Sequence, residues 1–558
     1  MSLTRSRGKK GEKRREEKRR LIAQDLIDYA IRNRVRLEDV SKHIFYTEKH
    51  ANAYDGVHRK GLFKGWQDFK DYAISIRKHH TPEPRVNKSK RYVVTWAQNA
   101  TAVFEPGLRA LETFCRINKA ELVVVAGTYK NPTSRGEARK QETDHWWDER
   151  LAPYLFQGEI KLHDSFKLFG NAYVQPTAAN PTNGMEVVLG HNSAVVGHPR
   201  VSMRCVPSAF GLPRVIYSTG AITEPSYSKS AAGFKAEQHH TYAALLVEID
   251  DARGLPEPLY HCRQLMMCGD GSFIDFDLEY FPDGTVRQAR PAKALICGDT
   301  HVDQGPGVHD RLLFDTDSIA ASLAPDYVVL HDVLDFRRRN HHTRGNLFHA
   351  IDTRYSPVRG ELENACAFLI RCCGEVAPKI RVVGSNHDEA FDRWLNETDP
   401  KADPVNALFF HQMWLWLLED HRDGIRAPAF ETFFREYTEG SDGGGVQFVG
   451  RAETLMIGDI ACHFHGDKGV NGSRGTPNQW RKLSHKSITG HTHTPFILDG
   501  AWGVGVSGPL DMGYNLPPST WLNSSCAILA NGKRQMYNII EGRFRLPPPD
   551  LDALDLCA

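Results

Sequence analysis

The chain has 558 residues, with 70 Lys and Arg against 68 Asp and Glu, so affinity for a polyanion would have to come from local basic clusters. No apolar run approaches the roughly 20 residues needed to span a bilayer, and the first residues lack the apolar segment of a secretory signal. The 11 cysteines are scattered without C-x-x-C spacing, which is typical of a reducing compartment, so we expect a cytoplasmic protein without membrane association.

Residues 1–85 are predicted to form a basic, helical region. Ile22, Leu26 and Tyr29 recur at helical spacing, and "RLEDVSKHI" predicts a second short helix. The first twenty residues contain ten Lys or Arg and three Glu. This excess suits an arm that contacts DNA, because basic side chains near phosphates supply most non-specific affinity; a solvated tail is the alternative. The proline-containing stretch "HHTPEPRVNKSK" predicts a linker to the next region.

Residues 91–290 are predicted to form a mixed α/β accessory domain. "RYVVTW" and "ELVVVAGTY" are strand-like, and the amphipathic "PGLRALETFCRI" between them predicts a β-α-β unit. Further strands are predicted at "RVIYSTG", "YAALLVEI" and "SFIDFDLEYF". The segment 226–240 offers polar side chains, but no catalytic residues at a recognised spacing.

Between residues 291 and 545, five short polar clusters each follow an apolar run. They are Asp299 and His301 in "ALICGDTHVDQ", Asp332 in "DYVVLHDVLDF", Asn386, His387 and Asp388 in "KIRVVGSNHDEAF", His465 in "IACHFHGDKG", and His491 and His493 in "SITGHTHTP". In open α/β sheets, the loops at the carboxyl ends of the strands converge. We therefore expect the clusters to meet at one site, in a catalytic domain that spans residues 291–545 and leaves 546–558 as a tail.

The residue types in these clusters indicate a metal site. Two aspartates, one asparagine and four histidines form a mixed oxygen and nitrogen set, which suits divalent ions such as Mn2+, Fe2+ or Zn2+. Cys297 and Cys462 lie nearby in the sequence but are expected to be buried strand residues.

The order of the clusters, Asp-x-His, Asp, Asn-His-Asp, His-Gly-Asp and Gly-His-x-His, resembles that of the calcineurin-like metallophosphoesterases. The resemblance covers less than half of the chain. It implies an α/β fold with a β-sandwich flanked by helices and two divalent ions, with Mn2+ expected ahead of Fe2+, Zn2+ and Mg2+. It assigns one ion to Asp299, His301 and His493, the other to Asn386, His465 and His491, and the bridging position to Asp332. His387 corresponds to the family's catalytic histidine, and Asp388 is a candidate to orient it.

Two positions depart from the family pattern. His331 stands where the second motif usually has glycine, and Ser385 interrupts the usual Gly-Asn-His of the third. His463 is an alternative to His465, which we prefer because His-Gly-Asp is the commoner form in the superfamily. The resemblance implies hydrolysis of phosphate esters by a metal-bridging hydroxide that attacks phosphorus in line, without a nucleophilic side chain.

Basic loops near the metal clusters favour nucleic acid as the substrate. They contain Arg337, Arg338, Arg339 and Arg344 after Asp332, and Lys468, Arg474, Arg481 and Lys482 after His465. Arginine-rich loops beside a metal centre suit a polyanion held along several phosphates. The alternative is that these side chains pair with acidic neighbours or with a partner subunit in a homo-oligomer.

The order of the regions also resembles large phage-encoded members of the superfamily, including the early nucleases with which T5-like phages degrade host DNA. This resemblance implies a DNase in the host cytoplasm whose first two regions grip DNA. Two other functions stay open: a small-molecule or cyclic-nucleotide phosphodiesterase, and a non-catalytic DNA-binding protein with structural metals. The aromatic helix predicted at 407–421 suits core packing, a cap over the site or an oligomer interface.

Overall fold

The computed structural model describes residues 2–33, 35–47, 57, 61–77, 88–129, 146–209, 211–251, 259–305, 308–340, 347–439, 443–513 and 515–548. Arg344, most of the predicted linker and most of the predicted tail lie outside these residues. Among the described helices, none combines the length and the apolar character that a bilayer crossing requires.

The amino-terminal region is helical, as predicted, and has its own small core. Its helices are α1 (Ser2–Arg32), α2 (Lys42–Thr47) and α3 (Trp66–Ser75), with a 3-10 turn at Leu37–Asp39. Ile22, Leu26 and Tyr29 of α1 are buried in this core together with Phe45 and Phe69. The helical spacing in the sequence therefore identified the buried face of α1.

The predicted β-α-β unit is present after residue 90. It consists of β1 (Arg91–Gln98), α4 (Glu105–Asn118) and β2 (Glu121–Gly127), with β1 and β2 parallel. The amphipathic face of α4 covers one side of this sheet with Leu108, Leu111 and Phe114.

The remaining elements up to residue 290 are mostly short strands. They are a 3-10 turn at Glu149–Leu151, β3 (Leu155–Phe156), β4 (Glu159–His163), β5 (Phe166–Phe169), α5 (Glu186–Leu189), β6 (Ser193–Val196), β7 (Val201–Val206), β8 (Arg214–Thr219), α6 (Ala231–Gln238), β9 (Ala243–Asp250), β10 (Leu259–Met266), β11 (Phe273–Asp275), β12 (Leu278–Tyr280) and β13 (Val286–Gln288). One sheet has the order β10-β9-β1-β2-β3, and β11-β12-β13 form a small separate one.

Strands and helices alternate after residue 290. The elements are β14 (Ala294–Asp299), a 3-10 turn at Val302–Gln304, α7 (His309–Leu313), α8 (Ile319–Leu323), β15 (Tyr327–His331), a 3-10 turn at Arg337–Arg339, α9 (Leu347–Thr353), α10 (Arg359–Glu375), β16 (Lys379–Val383), α11 (Asp388–Glu397), α12 (Ala407–Arg422), α13 (Ala429–Tyr437), β17 (Val446–Val449), β18 (Met456–Ile457), β19 (Ile460–Ala461), a 3-10 turn at Val470–Gly472, α14 (Pro477–Trp480), β20 (Lys486–Thr489), β21 (Phe496–Leu498), β22 (Ala501–Gly503), β23 (Asn523–Ile528) and β24 (Arg534–Ile539). The predicted aromatic helix is α12, which buries Phe409, Phe410 and Met413 and exposes Leu408.

A six-stranded sheet forms the centre of this region, in the order β17-β16-β15-β14-β23-β24. The strands β14 to β17 are parallel to one another, and β23 is antiparallel to β14. Side chains alternate across β14, because successive residues of a strand point to opposite faces. Leu295 and Cys297 pack in the core that contains the helices, whereas Ala294 and Ile296 pack in the core shared with the second sheet.

The second sheet contains strands from both sides of residue 290. Its ten strands run β18-β19-β20-β22-β21-β7-β8-β6-β5-β4, so strands from the middle of the sequence continue a sheet built by later residues. The junction is an antiparallel pair in which Phe496 of β21 lies opposite Arg204 of β7. Met203 and Tyr217 share one buried cluster with Ile296 of the six-stranded sheet. The molecule is thus a mixed α/β structure in which both regions contribute to one core.

Candidate metal centre

The predicted ligands lie where strands end. They are Asp299 at the end of β14, Asp332 after β15, Asn386 and His387 after β16, His465 after β19, and His491 and His493 after β20. The first three strands are parallel neighbours, so their carboxyl ends share one edge. The loop after β20 reaches the same place from the second sheet, since the backbone N–H of His491 donates to Oδ1 of Asp299 at 3.1 Å.

Four of these residues form a compact buried group: Asp299, His301, Asp332 and His493. Their potential ligand atoms all lie within 4.8 Å of one another. Nε2 of His493 is 3.0 Å from Oδ2 of Asp299 and 3.1 Å from Nε2 of His301. A cation between these two imidazole nitrogens and the carboxylates would satisfy both rings at once, because each ring can offer it a lone pair.

Asp332 connects this group to a second set of donors. Its Oδ2 lies 3.9 Å from Nε2 of His301 and 3.2 Å from Nε2 of His465. His465 Nε2 is in turn 3.0 Å from Oδ1 of Asn386, and the His491 ring centroid is 5.2 Å from that of His465. The carboxylate of Asp332 is fully buried, which is costly unless it is paired with cationic groups or bound to a cation.

His463, the alternative to His465, lies elsewhere. Its Nδ1 is 3.3 Å from the carbonyl oxygen of Leu455, and its ring packs against Phe464 with the centroids 4.0 Å apart. The geometry therefore brings His465 to the carboxylates.

The backbone at the site is unusual. His301, Asp332, His491 and His493 all have positive φ, at 47°, 44°, 71° and 54°, a region that residues other than glycine seldom adopt. Gly490 precedes two of them, and a Cβ there would lie 2.3 Å from Oδ1 of Asp299. The close approach of the β20 loop to Asp299 thus requires glycine at this position.

Asp335 is a site residue that the sequence reasoning missed. Its Oδ1 lies 3.0 Å from Nδ1 of His301 and 3.2 Å from Nδ1 of His387, and Gln304 donates to its other oxygen. One carboxylate therefore orients both a predicted ligand and the predicted catalytic histidine. The available signal was its position, three residues after Asp332 in "DVLD" and in the same strand-end loop.

Asp388, predicted to orient His387, is turned toward its own loop instead. Its Oδ2 accepts a hydrogen bond from the backbone N–H of Ser385 at 3.0 Å, and its N–H donates to Oγ of Ser385 at 3.2 Å. Its Oδ1 has no hydrogen-bond partner among the described residues. Burial, and then the charge of Asp332, raise the pKa of Asp388 to about 7. In this structure Asp335 makes the contact with His387, and Ser385 shapes the loop that holds Asp388.

The electrostatics of the site reflect the closeness of opposite charges. Burial alone would lower the pKa of His387, but Asp332 and Asp335 raise it to about 10. Burial would likewise lower the pKa of His465, yet Asp332 raises it to about 9. Burial opposes ionisation of Asp299, but His493 and other neighbours hold its pKa at about 2. The carboxylates are thus ionised and attract cations, and the residues fit a divalent metal ion held by oxygen and nitrogen donors.

The predicted DNA-contacting arginines after β15 are engaged with acidic residues. Arg338 lies 3.3 Å from Oε1 of Glu361. Arg339 forms a two-pronged ion pair with Asp403, at 2.7 and 3.0 Å. Arg337 is half-buried, and Arg344 is outside the described residues. The contacts of Arg338 and Arg339 correspond to the alternative in which these side chains pair with acidic neighbours.

The basic residues after His465 differ among themselves. Lys468 donates to Glu389 at 2.5 Å, and Arg481 lies 2.5 Å from Oδ2 of Asp499. Arg474 is exposed, and its side chain has no ion-pair or hydrogen-bond partner within the described ranges. Arg474 therefore directs its charge to solvent, and Lys482 of the same loop is exposed as well.

Comparison with known proteins gives one relative of nearly full length. No protein-family model and no solved structure matches the chain. Protein A1 of Escherichia phage T5 is 30% identical to it over 538 residues, which cover 91% of this chain and 94% of the relative. A match of this extent includes the metal centre as well as most of the residues before 290.

Proposed function

The chain belongs to the family of protein A1 of phage T5, and from its metal centre we propose that it is a metal-dependent hydrolase that cleaves phosphodiester bonds in DNA. The observation that carries the proposal is the buried group of Asp299, His301, Asp332 and His493, whose ligand atoms lie within 4.8 Å of one another. Its acidic and imidazole donors suit the divalent ions used in phosphoryl chemistry. Membership of a phage protein family agrees with a role in the infected host cell.

The arrangement of the donors supports our proposal of two ions. Asp332 stands between His301 on one side and His465 on the other, which is the arrangement expected of a bridging carboxylate. The six-stranded and the ten-stranded sheet share a core, and helices cover the far face of the six-stranded sheet. This arrangement supports the sandwich fold of the calcineurin-like metallophosphoesterases. When bound, such a pair of ions activates water and offsets negative charge on the phosphoryl oxygens.

His387 is the proposed acid for the leaving oxygen. Its Nδ1 is engaged by Asp335, both through the carboxylate at 3.2 Å and through the backbone carbonyl oxygen at 3.0 Å. Proton transfer to the leaving oxygen would therefore run from Nε2. Its ring lies edge-on to that of His301, with the centroids 4.8 Å apart, so the acid sits directly beside the metal ligands.

A specific observation supports a second candidate, a phosphodiesterase for small diesters. Arg338 and Arg339 were expected to hold successive DNA phosphates, but Arg338 is in contact with Glu361 and Arg339 is paired with Asp403. Without contacts from these arginines to phosphates, the site has fewer cationic side chains that could bind a long polyanion.

The test is hydrolysis by the full-length chain with Mn2+ of linear DNA, circular DNA, RNA and bis-p-nitrophenyl phosphate. We expect DNA cleavage that Asp332→Asn abolishes together with a loss of bound metal, because the shared carboxylate is weakened as a ligand. Asp303→Asn, a change in the neighbouring loop, serves as the matched control and is expected to retain activity. Cleavage of the chromogenic diester alone would favour the second candidate, and metal binding without any hydrolysis would contradict both.

A further inference from the structure

A second charged cavity lies away from the metal centre. It has a volume of about 460 Å³ and is formed by the end of α6, the end of β10, the turn between β21 and β22, and the turn between β23 and β24. Residues from before and after position 290 therefore build it together. Its size falls within the range of small-molecule sites, roughly 300–1,000 Å³.

Cationic side chains dominate the lining. The charged or titratable groups are Arg200, His239, His240, Tyr242, Lys486, Asp499, Lys533 and Arg534. Asp499 is the acidic residue among them, and its carboxylate is shared by Arg200, by Arg481 at 2.5 Å and by His239 at 3.5 Å. Lys486 pairs with Asp459 outside the cavity, at 2.7 Å. The lining as a whole is therefore positive.

Arg534 is a buried cation without a salt bridge in the described part of the chain, although the charge of Asp459, the partner of Lys486, acts on it through space. The residue is 8% exposed, and its NH1 donates to the carbonyl oxygens of Ser487 and Gly500 at 3.1 and 2.7 Å. Its guanidinium carbon lies 4.5 Å from the centroid of the Trp502 ring. No carboxylate of the described residues forms an ion pair with Arg534 or with its neighbour Lys533. Burial lowers the pKa of Arg534 to about 10, because a buried cation without a close ion-pair partner is costly.

Arg200 is also a buried cation, and only part of its guanidinium group has a partner. The residue is 6% exposed, and its Nε is buried without a hydrogen-bond partner in the described ranges, although its NH1 contacts Asp499. Two buried arginines thus line the cavity, one of them with an unsatisfied donor, and a planar guanidinium matches the oxygens of a phosphate or carboxylate group.

The cavity and the metal centre lie at opposite ends of the same strands. Lys486, at the cavity, begins β20, and His491 and His493 follow its far end. Asp499, also at the cavity, follows the far end of β21. With a rise of about 3.3 Å per residue, the four residues of β20 place the two sites about 10 Å or more apart. A ligand in the cavity therefore does not use the metal ligands.

We propose that this cavity is a second binding site, which takes a small ligand that carries a phosphate group. The excess of buried cations supplies the affinity, and the arginine side chains supply the directional hydrogen bonds. The site goes beyond the proposed hydrolysis and does not depend on it. Inorganic phosphate and a nucleoside monophosphate share the chemistry that it recognises.

The test is isothermal titration calorimetry of the full-length protein with inorganic phosphate and with deoxyadenosine monophosphate. We expect binding that Lys533→Gln weakens about tenfold, the effect of losing roughly 1.4 kcal/mol from one charge-assisted contact. Lys64→Gln removes the same charge from an exposed position on the amino-terminal region and is expected to change nothing. His493→Ala, which disrupts the metal centre, is expected to leave this binding in place.

Arg534→Lys provides an independent readout, since it keeps the charge and removes the planar fork. Weaker binding by this variant also supports the site; if it fails to fold, Lys533→Gln decides. Tighter binding of the nucleotide than of phosphate would assign the ligand a nucleoside, and equal binding would assign the oxyanion alone. The proposal is overturned if neither probe binds, if binding disappears with His493→Ala, or if Lys533→Gln binds as the wild type does.

Discussion

His301, Asp332, His491 and His493 hold their side chains in place with a left-handed backbone, with φ between 44° and 71°. Each such residue costs on the order of 1 kcal/mol or more, so the surrounding structure must fix it. Hydrogen bonds from the loops do this: the N–H of His301 donates to the carbonyl oxygen of Asp332 at 2.7 Å. At the scale of the residue, a strained backbone conformation points the candidate metal ligands toward one site.

Asp335→Asn tests the double role of this carboxylate. Because Asp335 contacts both His301 and His387, we expect metal affinity and hydrolytic rate each to fall about 10- to 100-fold. His387→Ala, by comparison, should lower the rate about 10²- to 10⁴-fold and leave the metal content near normal. Metal content by atomic emission and rates at saturating Mn2+ measure the two effects. Normal metal affinity in Asp335→Asn would mean that the contact with His301 is dispensable.

Glu361→Gln tests a buried carboxyl of α10. Burial, and then the charge of Asp303, raise the pKa of Glu361 from 4.5 to about 8. The folded chain then holds a proton that the unfolded chain has lost, so this group makes stability fall between pH 4.5 and about 8, by about 1.4 kcal/mol per pH unit at most. Wild type and Glu361→Gln should have similar stability near pH 4.5, and the variant should become the more stable as pH rises.

Urea unfolding of both proteins at pH 5 and pH 8 measures this difference. Glu375→Gln is the matched control, because Glu375 lies on the same helix with its side chain 55% exposed. A wild-type protein that matches Glu361→Gln at both pH values would show that Glu361 is ionised in the folded state.

At the scale of the element, loops from two sheets form the site together. The loops after β14, β15 and β16 leave one edge of the six-stranded sheet, and the loop after β20 arrives from the ten-stranded sheet. Basic residues after β15 and between β19 and β20 have different environments. Arg339 is bound by Asp403, whereas Arg474 is exposed.

Arg474→Gln and Arg339→Gln form a matched pair for DNA binding. We expect Arg474→Gln to weaken binding of duplex DNA and to reduce the slope of log affinity against log salt by about 0.9, the value for one lost phosphate contact. Arg339→Gln should leave that slope unchanged and lower thermal stability instead, because it leaves Asp403 without its partner. Fluorescence anisotropy at several salt concentrations measures the slopes. Equal slopes for Arg474→Gln and wild type would contradict a contact between Arg474 and a DNA phosphate.

At the scale of the whole molecule, residues on both sides of position 290 share a sheet and a core. The pairing of β21 with β7 and the common cluster that contains Met203, Tyr217 and Ile296 cross that position. The amino-terminal helices, in contrast, form a cluster of their own.

Two truncations test this division. A chain of residues 291–558 should fail to fold cooperatively, because it exposes the edge of β21 and the apolar residues around Ile296 that Met203 and Tyr217 cover in the full chain. A chain of residues 88–558, which loses the amino-terminal cluster and the ion pair of Arg77 with Glu149, should keep a cooperative thermal transition and bound Mn2+. Circular dichroism and calorimetry distinguish them. A stable, metal-binding fragment 291–558 would contradict the shared core.

The sequence by itself determined the local features of this protein. Helical spacing identified the buried face of α1, an amphipathic segment between two apolar runs identified the first β-α-β unit, and polar residues after apolar runs identified the ligand candidates, because these patterns depend on neighbours in the chain. Tertiary structure decided what depends on distant residues. Asp335 became the partner of His301 and His387, Glu361 and Asp403 took up two arginines, and β7 joined β21 across 290 residues of chain. Such contacts arise only when separate strands and loops are brought together, and no local pattern in the sequence encodes them.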